Sequence, residues 1–420
     1  MNFLLDELFM ISDSMKYLAF VLLVLVGGLN LCAQDAFKYH RSSLYSVLLK
    51  HDNAEFNGEI VAAFKAIPVP DKFDNHNLSK CVFNAAVLQK GSVSEWDSQK
   101  SHIDELLYKN AIGRRLVAKW FNHSKSGTFN SELLVERGTY DADAFKVALS
   151  KRMTTGLDNI IIDAGSELIS NTYVLVHDIQ YYDRRETGKA LSNVVNAVGV
   201  VASSIPAINL TAMWATAAAT TLTERVAGFK VSVTSYLYKL EWNEEIEATF
   251  YDKFYTEVPD ITKLNLFNKE KSLFSLTYIG EQTVYSGTTS VNGVNKQEEY
   301  IVKVCTRAMD KAIAQLQKDH EVFRVKTPLL STSPITAKIG VKEDITEDSR
   351  FEILEVSEKT GKTTYKRVGI IKPIKGKIWD NRYLAEFEDE NKDKNLTATE
   401  FEKVSGGDFY PGMLIREIDN

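Results

Sequence analysis

Hydrophobic residues follow the alternating pattern of strands in two long segments that flank an uncharged stretch. Residues 171–182 and 229–242 are rich in β-branched and aromatic side chains, which is typical of strands. Between them, residues 190–223 contain no Asp, Glu, Lys or Arg, and Pro206 divides this stretch. We therefore predict two strands of one sheet joined by a helical-hairpin insertion, with each half about 24 Å long at 1.5 Å per residue.

Similar patterns predict further elements in the first three quarters of the chain. Strand-like segments occur at 42–49, 248–255 and 273–285. Helical spacing of apolar residues predicts helices at 54–66, 96–121, 141–152, 156–169 and 297–320. We expect Asn53 to cap the first of these helices. The last has the clearest apolar stripe, which includes Cys305 and is predicted to face a core.

The pattern changes near residues 326–334. The segment beyond them contains short strands separated by turns, at 336–341, 350–356, 365–372, 383–387 and 413–418. This spacing predicts a small closed β-barrel. The overall prediction is an α+β protein. It has an N-terminal strand and helices in 34–135, a core with a central antiparallel sheet and the insertion in 136–325, and a C-terminal β-barrel in 326–420.

The N-terminus has the features of a secretory signal. A lysine precedes an apolar run, 17–28, and small residues lead to a predicted cleavage site at Ala33–Gln34. Residues 1–14 contain three acidic residues, which do not suit a positive start, so we predict that translation begins at Met15. Residues 1–33 are then a mis-start plus signal peptide, and the protein is exported to the periplasm or the outer membrane. The alternatives are a buried helix or a retained membrane anchor.

Three cysteines raise two questions. Cys32 would accept a lipid if the preceding residue were small, but Leu31 is large. Cys81 and Cys305 would remain after cleavage, and two cysteines can pair in an oxidising compartment. Because Cys305 lies on an apolar helical stripe, a free buried thiol is the alternative.

Composition sets broad limits on function. The chain has 420 residues, of which 44% are hydrophobic and 25% charged, as in globular proteins of two or three domains. The net charge of -6 provides no basic face for nucleic acid, so nucleic-acid partners are excluded.

Motifs for catalysis, cofactors and metals are missing from the sequence. The seven histidines show no His-Glu-x-x-His spacing, and no Cys-x-x-Cys pair is present. The glycines do not form a dinucleotide or phosphate-binding loop, and there is no Gly-x-Ser-x-Gly elbow. We therefore assign no catalytic, cofactor-binding or metal residues.

Residues 389–400 resemble an EF-hand loop. Oxygen-bearing side chains occupy alternate positions and Glu400 stands at position 12. However, Lys394 replaces the glycine of the sharp turn and brings positive charge beside the cation. The alternative to calcium binding is a solvated loop that joins two barrel strands.

Two polar loops form the basis of a rival hypothesis. Residues 71–76 include Asp71, Asp74 and His76, and residues 122–128 include His123. A deep pocket lined by Asp74, His76 and His123 would indicate a periplasmic hydrolase or a glycan-binding protein. The ordinary interpretation of these loops is solvated polar side chains.

Several short motifs resemble an uncharacterised family of exported bacteroidete proteins, and the resemblance extends over nearly all of the mature chain. The motifs lie at 41–45, 120–122, 136–138, 163–165, 171–174 and 409–415, and the Ala33–Gln34 site is similar to cleavage sites of that group. The family has no established activity, so the resemblance implies no functional residue. The strand–insertion–strand unit followed by a small barrel also resembles curli-secretion and flagellar-assembly envelope proteins in topology.

Together these observations predict an exported, non-enzymatic envelope protein that acts through protein contacts, as an assembly factor or scaffold. We expect the insertion, 190–223, to be the contact surface. Its partner would be another envelope protein, a second copy of the chain or the membrane. The other interpretations of the insertion are a hairpin packed on its own protein and a mobile loop.

Overall fold

The computed structural model describes residues 42–86, 95–138, 167–181, 229–287, 297–359, 362–387 and 396–418. These residues form two six-stranded sheets together with helices, so the predicted α+β class is confirmed. The predicted signal segment and the insertion, 190–223, lie outside the described residues. No helix in the described ranges combines the length and apolarity needed to cross a bilayer.

The first sheet is mixed rather than antiparallel. Its strands are β1 (Ser43–Lys50), β2 (Asp74–Asn75), β3 (Val82–Asn84), β4 (Thr172–Tyr181), β5 (Lys230–Leu240) and β6 (Leu276–Gly287). They run in the order β2-β1-β4-β5-β6, and β3 also pairs with β1. The strands β4, β5 and β6 are antiparallel, as predicted, whereas β1 is parallel to β2, β3 and β4.

The prediction of a wholly antiparallel sheet was therefore wrong, and the reason is the long connection between β1 and β4. Parallel neighbours need a crossover of a dozen or more residues, which this connection provides. As a consequence, the predicted segments 34–135 and 136–325 contribute strands to one sheet.

Eight α-helical segments occur in the described ranges. Six are α1 (Asn57–Ala66), α2 (Glu95–Lys109), α3 (Ile112–Trp120), α4 (Glu244–Lys253), α5 (Ile261–Lys269) and α6 (Gln297–Asp319), and two shorter segments lie at 132–138 and 167–170. The helix predicted at 297–320 is confirmed as α6. The single helix predicted at 96–121 is two helices, because Ala111 adopts the left-handed conformation with φ 48° between them. The residue before α1 is Phe56, which makes no side-chain cap, so the prediction for Asn53 was wrong.

The strand predicted at 248–255 is instead part of α4. Asn243 accepts a hydrogen bond from the Ile246 amide, and three glutamates occupy the first turn, which stabilises a helix N-terminus. Phe250 and Phe254 are one turn apart and both are buried. Their aromatic character is typical of strands, but their spacing is that of a helix.

The sheet lies between two layers. One face packs on α2, α3, α4 and α5 around Trp120, Phe121 and Phe250. The other face packs on α1 and α6 around Tyr300, Val304 and Cys305. Cys81 and Cys305 are both free thiols, and burial raises the pKa of the Cys305 thiol to about 12. The prediction of a free buried thiol is thus confirmed.

The second sheet closes into a ring. Its strands are β7 (Thr327–Thr332), β8 (Ile335–Ala337), β9 (Arg350–Lys359), β10 (Lys362–Pro373), β11 (Thr399–Gly406) and β12 (Leu414–Ile418). Their order is β10-β11-β8-β7-β12-β9, and β9 pairs with β10 to complete the ring. The strand β7 occupies most of the predicted boundary, 326–334, and β11 was not predicted. The strand predicted at 383–387 is a short 3-10 turn, Ala385–Phe387.

Ion pairs connect the ring to the first sheet and its helices. Lys72 Nζ lies 3.2 Å from Glu343, and Lys318 Nζ at the end of α6 lies 2.8 Å from Asp344. Burial opposes ionisation of Glu343, but the neighbouring Lys72 and a hydrogen bond from Asn381 hold its pKa below the usual value. The charged form of Glu343 therefore stabilises this contact.

Candidate functional site

A cleft of about 420 Å³ lies between α2, the start of α3 and the first residues of β6. This volume is in the range of small-molecule sites. Three tyrosines line it, Tyr108, Tyr238 and Tyr278, and we call it the tyrosine cleft. All of its lining residues lie in described parts of the chain.

Helical and strand periodicity bring the polar side chains of the cleft together. Lys100, Asp104 and Tyr108 are four residues apart on α2 and so share one face of the helix. Tyr238 of β5 and Tyr278 of β6 are directly paired in register. Their rings meet edge to face with centroids 5.5 Å apart.

The apolar side of the cleft depends on a close approach of α3. At Gly113, a Cβ atom would lie only 1.9 Å from the backbone oxygen of Phe274. Glycine therefore lets the first turn of α3 contact the segment before β6. Ile112, Phe274 and Leu276 line the cleft around this contact.

Two of the three charged groups in the lining of the cleft, Lys100 and Asp104, pair with each other. Asp104 accepts a hydrogen bond of 2.8 Å from the Tyr238 hydroxyl and lies 2.7 Å from Lys100 Nζ. Lys100 Nζ also lies 4.8 Å from the centroid of the Tyr278 ring, a cation–π distance. Asp104 is the one carboxylate among the lining residues.

Both inner tyrosines stay protonated at neutral pH. Burial, the hydrogen bond to Asp104 and its charge raise the pKa of Tyr238 well above the usual value of 10. Burial and the neighbouring Glu281 raise the pKa of Tyr278 in the same way. Their hydroxyl groups therefore act as hydrogen-bond donors and not as bases.

The cleft adjoins the outer edge of β6. This strand of twelve residues contains no Lys, Arg or Pro. Its inner side pairs with β5 along its length, and its outer side pairs with no strand in the described ranges. Because Leu276 and Tyr278 belong to both features, the cleft and the outer edge of β6 adjoin each other.

The loop at 71–76 does not place His76 in solvent. The His76 ring is fully buried and packs on Trp120 with centroids 4.8 Å apart. Its Nε2 lies 3.0 Å from the Leu116 oxygen, and its Nδ1 lies 3.2 Å from Arg137 Nη1. Arg137 also lies over Trp120 and 3.6 Å from Asp74. The prediction of a solvated histidine was therefore wrong here.

His123 belongs to a different cluster. Its ring lies between Phe129 and Phe267, at centroid distances of 4.4 and 4.8 Å. Asp71 is almost fully exposed. The histidines of the two predicted loops thus contact different aromatic side chains, and neither lines the tyrosine cleft.

The calcium-like segment continues as a strand. Residues 389–395 lie outside the described residues, whereas Thr399 and Glu400 begin β11. Glu400 lies 3.6 Å from Lys377. An EF-hand needs a helix at this position, so the geometry favours a loop that joins ring strands. Elsewhere in the described ranges, no group of three or more His, Cys, Asp or Glu side chains is placed to hold a metal.

Comparison with known proteins identifies no relative of this chain. No family model matches the chain, and neither a curated protein nor a solved structure resembles it significantly. Membership of the exported bacteroidete family stays a prediction.

Proposed function

We propose that this chain is an exported cell-envelope protein that works through protein contacts, as an assembly factor or scaffold, and not by catalysis. The observation that carries the proposal is the outer edge of β6. An extended segment of a partner, or of a second copy, adds to this edge as a further strand. Backbone hydrogen bonds then provide affinity, and the adjoining cleft provides specificity.

The composition of β6 supports strand addition. Sheet edges that avoid association usually carry lysine or proline, or are very short. β6 has twelve residues and neither of these residue types. It carries one charged residue, Glu281, and one register shift against β5 between Gly280 and Tyr278. The side chains of Thr277 and Thr283 are exposed, and threonine is a residue type that is enriched in strands.

The strands on either side of the predicted insertion end near the C-terminal end of β6. β4 ends at Tyr181, which pairs with Val231, and β5 begins at Lys230, which pairs with Gly287 at the end of β6. The chain therefore leaves and re-enters the sheet where β6 finishes. We propose that residues 190–223 and the β6 edge form one contact surface, toward an envelope partner, a second copy or the membrane.

The chemistry of the cleft also supports binding. Glycoside hydrolysis generally uses two carboxyl groups, and the lining of the cleft contains only Asp104, which is already paired. The rival hypothesis, a hydrolase or glycan-binding site in the 71–76 and 122–128 loops, has less support. His76 and His123 lie in separate aromatic clusters.

A double substitution on β6 tests strand addition. We expect Thr277→Lys with Thr283→Lys to reduce recovery of partners at least about tenfold, because edge lysines oppose a new strand. The measurement is cross-linking pull-down from the native envelope, with light scattering for self-association. The control is Val404→Lys, an exposed position on β11 of the closed ring. Equal recovery with the double variant would contradict the role of the edge.

Deletion of residues 190–223, with a short Gly-Ser link in their place, tests the insertion. Because β4 and β5 are direct neighbours, we expect the shortened chain to fold and to lose its envelope partner or its self-association. Size-exclusion chromatography with light scattering and the same pull-down provide the readout. A stable monomer that still holds its partners would remove the insertion from the contact surface.

A further inference from the structure

We infer that the tyrosine cleft binds a neutral saccharide. Tyr108 stands in the lining of the cleft with 57% of its surface exposed. Its ring is apolar with a polar end, and Ile112 and Leu276 add apolar surface to the lining. Lys271 Nζ lies over one side of this ring, 6.0 Å from its centroid, so the sugar would pack on the opposite face. A pyranose has the matching shape, since its C–H face packs on an aromatic ring while its hydroxyl groups point sideways.

The Asp104–Lys100 pair suits the hydroxyl groups of a sugar. The Asp104 carboxylate accepts hydrogen bonds and Lys100 Nζ donates them, and the two groups lie 2.7 Å apart. Each sugar hydroxyl both donates and accepts. One hydroxyl can donate to Asp104 while its neighbour accepts from Lys100. Charged partners strengthen such hydrogen bonds. Ser272 and Ser275 line the same cleft and add further hydroxyl groups.

Charge and polarity favour a neutral sugar over other ligands. The charges of Lys100 and Asp104 offset each other, which leaves Lys271 as the one further charge in the lining. A multiply charged anion would lie beside the Asp104 carboxylate. A purely apolar ligand would remove water from the Asp104–Lys100 pair without replacing its hydrogen bonds, which is costly.

The proposal is for binding and not for cleavage, since most glycosidases use two carboxyl groups and the lining of the cleft has one. This inference goes beyond the proposed protein contact. A soluble saccharide enters the cleft without any strand pairing to β6, so each idea is tested separately.

Isothermal titration of the folded chain tests the inference. The probes are β1,4-linked N-acetylglucosamine oligomers, maltooligosaccharides and xylooligosaccharides. We expect saturable binding of at least one series, and we expect Tyr108→Ala to weaken it at least about tenfold. Tyr108→Phe, which keeps the ring, should retain most of the affinity.

Tyr383→Ala is the matched control. It removes a tyrosine that is 40% exposed and lies outside the cleft lining, so affinity should not change. Because Tyr108 is largely exposed, its alanine variant should melt close to the wild type. The inference is overturned if no probe binds the wild-type chain at millimolar concentration, or if folded Tyr108→Ala binds as the wild type does.

Discussion

Gly113→Ala should lower the free energy of unfolding by about 2–4 kcal/mol. The added Cβ would lie 1.9 Å from the oxygen of Phe274, and this neighbour is backbone that cannot rotate away. Either α3 or the segment before β6 must move. Trp120 at the other end of α3 is fully buried, so a shift of the helix also disturbs the core. Urea unfolding provides the measurement.

Gly58→Ala is the matched control. Gly58 lies in α1, and nothing lies within 4 Å of the position of its added Cβ. Alanine is favoured over glycine in helices by up to about 1 kcal/mol, so this variant should be as stable as the wild type or more stable. The same substitution is thus expected to lower the free energy of unfolding at position 113 and to maintain or raise it at position 58. Similar stabilities for both variants would contradict the close approach of α3 to Phe274.

Acid should destabilise the protein through two buried histidines. His177 on β4 is fully buried, and its Nδ1 lies 2.8 Å from the Ser235 hydroxyl oxygen. Its Nε2 has no hydrogen-bond partner in the described structure. Burial lowers the pKa of His177 to about 3. For His76, burial and the nearby Arg137 likewise lower the pKa to about 3, although the hydrogen bond to Leu116 opposes the shift.

The direction of the change in stability with pH follows from the pKa of each histidine in the folded and in the unfolded chain. In the unfolded chain a histidine binds a proton near pH 6.5, whereas His177 and His76 in the folded chain do so only near pH 3. Between these values the unfolded state holds more protons, so stability falls as the pH falls. Each histidine contributes a slope of up to about 1.4 kcal/mol per pH unit. Above pH 6.5 the histidines are mostly neutral in both states, so they no longer make stability depend on pH.

The test compares wild type with His177→Asn at pH 7 and pH 5. We expect the wild type to lose about 2 kcal/mol per buried histidine over this range, and the variant to lose about 2 kcal/mol less. Asparagine keeps a polar atom near Ser235 but does not titrate. The control is His102→Asn on α2, where the ring contacts the Asn84 oxygen at an exposed position. An unchanged pH slope for His177→Asn would show that His177 does not resist protonation.

Hydrophobic periodicity was sufficient to predict a strand or helix where the same spacing of apolar residues continued over many positions. The strands β4 and β5 and the helix α6 were predicted within a few residues, because their apolar spacing extends over ten or more positions. α4 was missed since its aromatic residues are typical of strands, and its helical character depends on the Asn243 cap and on packing around Phe250.

The tyrosine cleft was not predicted from the sequence. The spacing of Lys100, Asp104 and Tyr108 on α2 is a sequence signal that a search for clustered polar residues on one helix face finds. Tyr238 and Tyr278 meet only through the register of β5 and β6, which no local pattern specifies. Arg137 belongs to one of the family-like motifs, 136–138, but its position over Trp120 results from contacts distant in sequence.

By itself the sequence determined the α+β class and most long elements, because these depend on side chains close together along the chain. Tertiary structure alone decided the parallel pairing of β1, the order of the strands in the ring, the burial of His76 and the joining of the tyrosine cleft to the edge of β6. Each of these outcomes depends on which distant segments share a surface. That choice is made by the free energy of packing the whole core, not by the preferences of any one segment.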